Sequence, residues 1–146
     1  MNHITTISES QESTEELIVK LTGRYYTHEL VAKNLIGRFI SIISNEYSER
    51  SKLKICDPFA GDGRLICWLL EEWIESGLPS VEWEIHLWDI NEAGLIEASR
   101  KLTVLRERGI KLEFNILNED TFRIALDRKD TFDIVITNPP WELLKP

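Results

Sequence analysis

The most specific chemical signal in the sequence is Asn138-Pro139-Pro140-Trp141. Two successive prolines fix φ and offer no backbone donors, so the carbonyls of Pro139 and its neighbours project from a stiff turn as acceptors. Asn138 adds a side-chain carbonyl, and Trp141 offers a face on which a planar group can stack. Acceptors grouped in this way hold both N–H bonds of an exocyclic amine and turn its lone pair toward an electrophile, with no need of a base to deprotonate it first. A rigid strand-end turn with a packing tryptophan would account for the prolines, but it leaves the full tetrapeptide unexplained.

Three further segments carry polar groups at matching places. Asp57-Pro58-Phe59-Ala60-Gly61-Asp62-Gly63 follows a short apolar run and precedes a helical one. Its glycines, Gly61 and Gly63, let the backbone turn tightly and approach a ligand at a helix N-terminus. Position 66 is Ile66 where a dinucleotide fingerprint needs glycine, and no Gly-Lys-Ser/Thr follows, so neither that site nor a P-loop fits. The carboxylates of Asp57 and Asp62 would repel a pyrophosphate and suit a ligand carrying an ammonium or sulfonium group. An ordinary βα turn is the plainer reading of the two glycines alone. Asp89, in Trp88-Asp89-Ile90-Asn91, is placed to accept hydrogen bonds from both hydroxyls of a ribose, with Ile90 covering a base; alternatively Asp89 or Asn91 caps the next helix. In Asn118-Glu119-Asp120-Thr121-Phe122, Asp120 can meet an adenine amino group with Phe122 packed nearby, or it too can serve as a helix cap.

These segments need a scaffold that brings them to one edge, and the periodicity supplies it. Leu53–Cys56, Trp83–Trp88, Lys111–Ile116 and Phe132–Thr137 read as strands, and helices are predicted over about 64–75 and 92–108, with a short one near 122–126. Such alternation specifies a parallel sheet with helices on both faces, whose ligands bind beyond the carboxyl ends of the strands. A further helix is expected from an N-cap at Thr27 to about Tyr47. Its broad stripe of Leu30, Val31, Leu35, Ile36, Phe39, Ile40, Ile42 and Ile43 would pack on the sheet. Residues 1–22 form an acidic arm, in which Ser13-Thr14-Glu15-Glu16 has the form of a capping box ahead of a short helix.

Composition excludes several classes. The 146 residues, 42% of them hydrophobic, suit one globular domain, and the longest apolar run, Leu65–Leu70, is far short of the roughly 18 residues of a membrane span. The N-terminus lacks the basic and apolar regions of an export signal, which makes the cytoplasm the expected location. Cys56 and Cys67 stand alone in apolar stretches, so they read as buried thiols and neither a disulfide framework nor a metal site is expected. With 17 Lys+Arg against 25 Asp+Glu, a net charge of −8, any nucleic-acid contact must be local or come from another domain.

Taken together, the motifs resemble the methyltransferase domain of S-adenosylmethionine-dependent N6-adenine DNA methyltransferases. The likeness is to the group in which cofactor motifs precede the catalytic one, as in type I modification subunits and type IIG restriction-modification enzymes. Asp57–Gly63 looks like their D-P-x-x-G-x-G loop and Asn138–Trp141 like their N-P-P-aromatic motif. Gly23-Arg24-Tyr25-Tyr26-Thr27 resembles the Y-T-P segment that closes over the methionine part of the cofactor, with His28 where proline is usual. The resemblance covers about residues 23–141 and implies a Rossmann-like class I methyltransferase fold with an N-terminal helical segment.

The same resemblance implies S-adenosyl-L-methionine as cofactor, held by Tyr26, Thr27, Asp57, Pro58, Phe59, Ala60, Gly61, Gly63, Asp89, Ile90, Asp120, Thr121, Phe122 and Asn138. Asn138, Pro139, Pro140 and Trp141 would act on a flipped adenine in DNA. Four strands are fewer than the complete fold carries, so residues 23–146 read as the N-terminal, cofactor-binding portion of a larger methyltransferase or a truncated product, inactive by itself. The open sheet edge would be covered by the rest of the enzyme or by a second copy, and a target-recognition region elsewhere would meet the DNA. The same motif also occurs in methyltransferases acting on release-factor glutamine or on guanine in ribosomal RNA. A non-catalytic fragment that binds cofactor or a partner is the remaining alternative.

Overall fold

Every strand pairing is parallel, which requires a crossover between successive strands, and helices supply them. The computed structural model describes residues 28–128 and 132–139. Within them run α1 (Glu29–Glu46), β1 (Lys52–Asp57), α2 (Arg64–Glu75), β2 (Glu82–Trp88), α3 (Glu92–Glu107), β3 (Leu112–Leu117), α4 (Thr121–Asp127) and β4 (Ile134–Val135). The sheet order is β3-β2-β1-β4. The chain therefore steps outward from β1 through β2 to β3 and then returns to pair on the other side of β1. Connections diverge between β1 and β4, and a crevice opens at such a switch point beyond the strand ends.

Alternation along the strands divides the sheet into two unlike faces. Leu53 and Ile55 of β1, Trp83, Ile85 and Leu87 of β2, and Leu112 of β3 enter the main core, where α1, α2 and α3 cover them. Helix α2 buries Leu65, Ile66, Cys67, Leu69, Leu70 and Trp73. The Trp73 ring meets that of Trp83 edge-on at 5.2 Å, and its indole N–H donates to the Pro79 carbonyl at 3.0 Å, which satisfies its one polar atom. The opposite face carries a charged ladder: Lys52 to Glu84 at 3.4 Å, Lys54 to Glu84 at 3.5 Å and His86 Nε2 to Glu84 Oε1 at 3.0 Å. Among the described residues α4 is the helix that packs on that face, through Ile124 against Cys56 and Trp88. Helices thus occupy both faces, as expected, but unequally.

The structure corrects two expectations. On α1, which begins after the N-cap His28, the buried side is Ala32, Ile36, Ile40 and Ile43, while Leu30, Val31, Leu35 and Ile42 are exposed. A stripe apolar on nearly two sides cannot reveal which side meets the sheet. The last strand, expected over Phe132–Thr137, has a ladder of two residues, Ile55↔Ile134 and Cys56↔Val135, extended by Ile136 N–H to the Cys56 carbonyl at 3.0 Å. Among the described residues β4 has a neighbour on one side only, and Pro139 has no N–H to continue a ladder. No helix of the described residues is long and apolar enough to cross a membrane.

Candidate active site

Asp57 ends β1 at the crevice and is 1% exposed. Burial pushes its carboxyl up to about 7, against the Phe59 N–H and the Thr137 side chain, which favour the ionised form; the charge of Asp89 adds to the rise. Oδ1 accepts from Phe59 N–H at 3.1 Å, closing the turn, and Oδ2 is sealed from solvent without a fully formed hydrogen bond. The loop then runs through Ala60, whose N–H donates to the Trp88 carbonyl at 3.0 Å, into Gly61 and Gly63 at φ 55° and 75°. Those left-handed conformations are what the two glycines are needed for.

Asp89 laces together the ends of three strands. Its Oδ2 accepts from Gly61 N–H and its Oδ1 from Asn91 N–H, both at 2.8 Å. Its own N–H donates to the Leu117 carbonyl at 3.1 Å, and its carbonyl accepts from the Asn118 side chain at 3.1 Å. Asn91 occupies the N-cap position of α3 without making a side-chain cap bond, so Asp89 is held as a loop organiser. Each of its oxygens keeps a second lone pair for hydroxyl donors. Asp120 does cap α4, accepting from Phe122 N–H at 2.9 Å through Oδ1. The Thr121 hydroxyl donates to the Pro58 carbonyl, and the Phe122 ring stands edge-on to Phe59 at 5.7 Å, so α4 is tied to the glycine loop. Ile90 and Phe122, beside these two acids, are 70% and 55% exposed.

Asp62 departs from its expected role. It is bound by Arg64 at 2.8 Å and by Lys101 at 2.9 Å. Burial alone would raise its pKa, but these two cations hold it at about 2. The carboxylate therefore ties the loop to α3 and is spent on protein cations. Pattern reading also missed Gly94 and Ala98. A Cβ on Gly94 would stand 2.6 Å from the Gly61 carbonyl oxygen, and one on Gly63 would stand 2.8 Å from the Ala98 Cβ. Small residues four apart share one helix face, so the visible signal was this pair in the first turns of the helix after β2. Burial pushes the Cys56 thiol up to about 12 and Cys67 to about 11, so both are inert at neutral pH.

Asn138 and Pro139 follow β4 and are half-buried. The register Cys56↔Val135 makes β4 and β1 parallel neighbours, so Asn138 and Pro139 leave the sheet at the same end as the glycine loop that follows Asp57. Tyr26, Thr27, Pro140 and Trp141 lie outside the described residues, as does the acidic arm. Among the described residues no group of three or more His, Cys, Asp or Glu side chains is arranged to hold a metal ion.

The chain matches the N-6 DNA methylase family over residues 13–144. It belongs to that family. It is similar to the type II methyltransferase M.VspI of Vibrio sp. (strain 343), 29% identical over 131 residues, which make up 90% of this chain and 28% of that protein. Among solved structures it resembles a protein of Listeria monocytogenes assigned as a class I S-adenosylmethionine-dependent methyltransferase, at TM-score 0.55 and 17% identity, over 91% of this chain and 39% of the other. A type I restriction enzyme modification subunit from Vibrio vulnificus gives TM-score 0.54 and 18% identity over 92% of this chain and 28% of the other. The fold is that of the class I methyltransferases, in part: the chain spans well under half the length of each of these three.

Proposed function

We propose that this chain is the cofactor-binding part of an enzyme that methylates the N6 amine of adenine in DNA, within a restriction-modification system. One observation carries the reading: the glycine loop after β1 and Asn138-Pro139 after β4 flank the switch point of a parallel sheet in a member of the N-6 DNA methylase family. DNA as the partner and a cytoplasmic setting belong to the same proposal. The target-recognition region would lie outside this chain, whose charge of −8 offers no broad basic surface.

The residues present fit S-adenosyl-L-methionine. Asp89 has acceptor capacity left for ribose hydroxyls after its two backbone bonds. Exposed Ile90 and Phe122 offer apolar walls for a base, and Asp120 keeps its Oδ2 for an amino group once Oδ1 has capped α4. Asp57, Pro58, Phe59, Ala60, Gly61, Gly63 and Thr121 would border the remainder, and a cation nearby would favour the ionised form of the Asp57 carboxyl, which burial pushes up to about 7. When bound, the cofactor supplies an electrophilic methyl group on a sulfonium. The Asn138 side-chain carbonyl and the Pro139 carbonyl accept the two N–H bonds of the target amine, holding its lone pair outward and stabilising the positive charge it gains. The proton is lost afterwards, so no strong base is required of the chain.

The test combines calorimetric titration of S-adenosylmethionine with transfer of radiolabelled methyl to DNA, RNA and a release-factor peptide in parallel, using the complete enzyme. Asn138→Ala should abolish transfer while weakening cofactor binding far less, whereas Asp89→Ala should weaken binding about tenfold or more. Label entering RNA or the peptide but not DNA would overturn the reading, as would transfer that survives Asn138→Ala.

A further inference from the structure

The strand that carries Asn138 has a two-residue ladder, which is little to hold a catalytic turn in place. Asp133, immediately before it, uses every polar atom it has. Its N–H donates to the Lys54 carbonyl at 2.8 Å, and its Oδ2 accepts from the Lys54 N–H at 2.8 Å. Its Oδ1 accepts from Arg50 Nη2 at 3.0 Å, and its carbonyl accepts from the Tyr47 hydroxyl at 2.9 Å. The Oδ2 bond supplies β1 with an acceptor from a side chain, where a longer β4 would have supplied it from the backbone. Tyr47 in turn packs against the main core, and the Arg50 guanidinium lies 5.9 Å from the centre of its ring.

We propose that Asp133 is the positioning residue of the catalytic strand: by gripping both backbone polar groups of Lys54, and being gripped by Tyr47 and Arg50, it sets the register of β4 on β1 and with it the place of Asn138 and Pro139. Register matters because a slip of one residue moves the strand about 3.3 Å and turns each side chain to the other face. With so short a ladder the carboxylate is the element that forbids the slip. A slipped Asp133 would face Leu53 or Ile55, leaving its charge against an apolar neighbour and Arg50 without its ion pair. The inference rests on the reading of Asn138 and Pro139 as the groups that hold the amine, but its first readout does not.

That readout is amide hydrogen exchange in the wild-type chain and in Asp133→Asn, Arg50→Met and Tyr47→Phe, with calorimetric titration of S-adenosylmethionine on the same proteins. The last two variants each remove one grip from outside the strand and keep the carboxylate, so they report even if Asp133→Asn fails to fold. The Ile136 amide should exchange at least about tenfold faster in Asp133→Asn and by a smaller factor in the other two, while the β2 amides and cofactor affinity stay within about twofold. In the complete enzyme the same substitution should lower kcat at least about tenfold with the cofactor KM little changed. Unchanged Ile136 exchange in all three variants would overturn the proposal, and so would faster exchange spread equally over β1 and β2. A wild-type enzyme that transfers no methyl to DNA counts against the proposed function alone, and the exchange data then decide the role of Asp133.

Discussion

Replacing Asp57 with asparagine tests the electrostatics of the crevice. Burial, with the charge of Asp89, raises the carboxyl from 3.8 to about 7, even though the Phe59 N–H and Thr137 pull the other way. The folded state therefore holds this proton more tightly than the unfolded chain does. The stability associated with it is complete below about pH 4 and is lost as the pH rises through about 7. That shift corresponds to about 4 kcal/mol in full, of which roughly 2–3 kcal/mol falls between about pH 5 and pH 8. Asp62 does not confuse the window: although burial would raise it, Arg64 and Lys101 hold it at about 2, so it stays ionised there and its contribution fades only in stronger acid. Asparagine carries no charge at any pH. The amide has two donors to satisfy and costs about 1–3 kcal/mol, but by the same amount throughout, so the slope is the quantity to read. Urea unfolding of both proteins at about pH 5, 6.5 and 8 should show wild-type stability falling by roughly 2–3 kcal/mol while Asp57→Asn stays level. Parallel slopes would refute the assignment of a neutral, buried Asp57 at low pH.

Three other substitutions probe the packing and the walls of the site. Gly94→Ala puts a methyl group where the Gly61 carbonyl oxygen would be 2.6 Å away, so the loop or α3 must move; a loss of about 1–3 kcal/mol in urea unfolding is expected, with weaker S-adenosylmethionine binding, and an unchanged protein would show the contact to be slack. Ile90→Ala and Phe122→Ala remove side chains that are 70% and 55% exposed, so each should cost less than about 1 kcal/mol of stability yet weaken cofactor binding several-fold by calorimetry. The opposite pattern would mark both as packing residues.

Much of the molecule follows from local pattern. Strands announced themselves by apolar runs between turn residues, and α2 and α3 begin at Arg64 and Glu92 as their periodicity predicts, because those preferences act within a few residues. The positions of Asp57, Gly61, Gly63, Asp89, Asp120 and Asn138 at strand ends were likewise visible from spacing alone. Tertiary structure decided the rest. Asp62 could have faced a ligand, but α3 brings Lys101 to it from 39 residues away. Gly94 has no local reason to be glycine until the Gly61 carbonyl arrives against it. Which side of α1 is buried, and how little of β4 pairs, depend on neighbours that no short window contains. Asp133 shows the difference most clearly: in the sequence it is an acid before an apolar strand, and only the approach of Lys54, Arg50 and Tyr47, each about 80 residues away, makes it a clamp. Propensity and periodicity are properties of neighbouring residues, whereas charge pairing, close packing and register are settled by whichever distant groups the fold brings within a few ångströms.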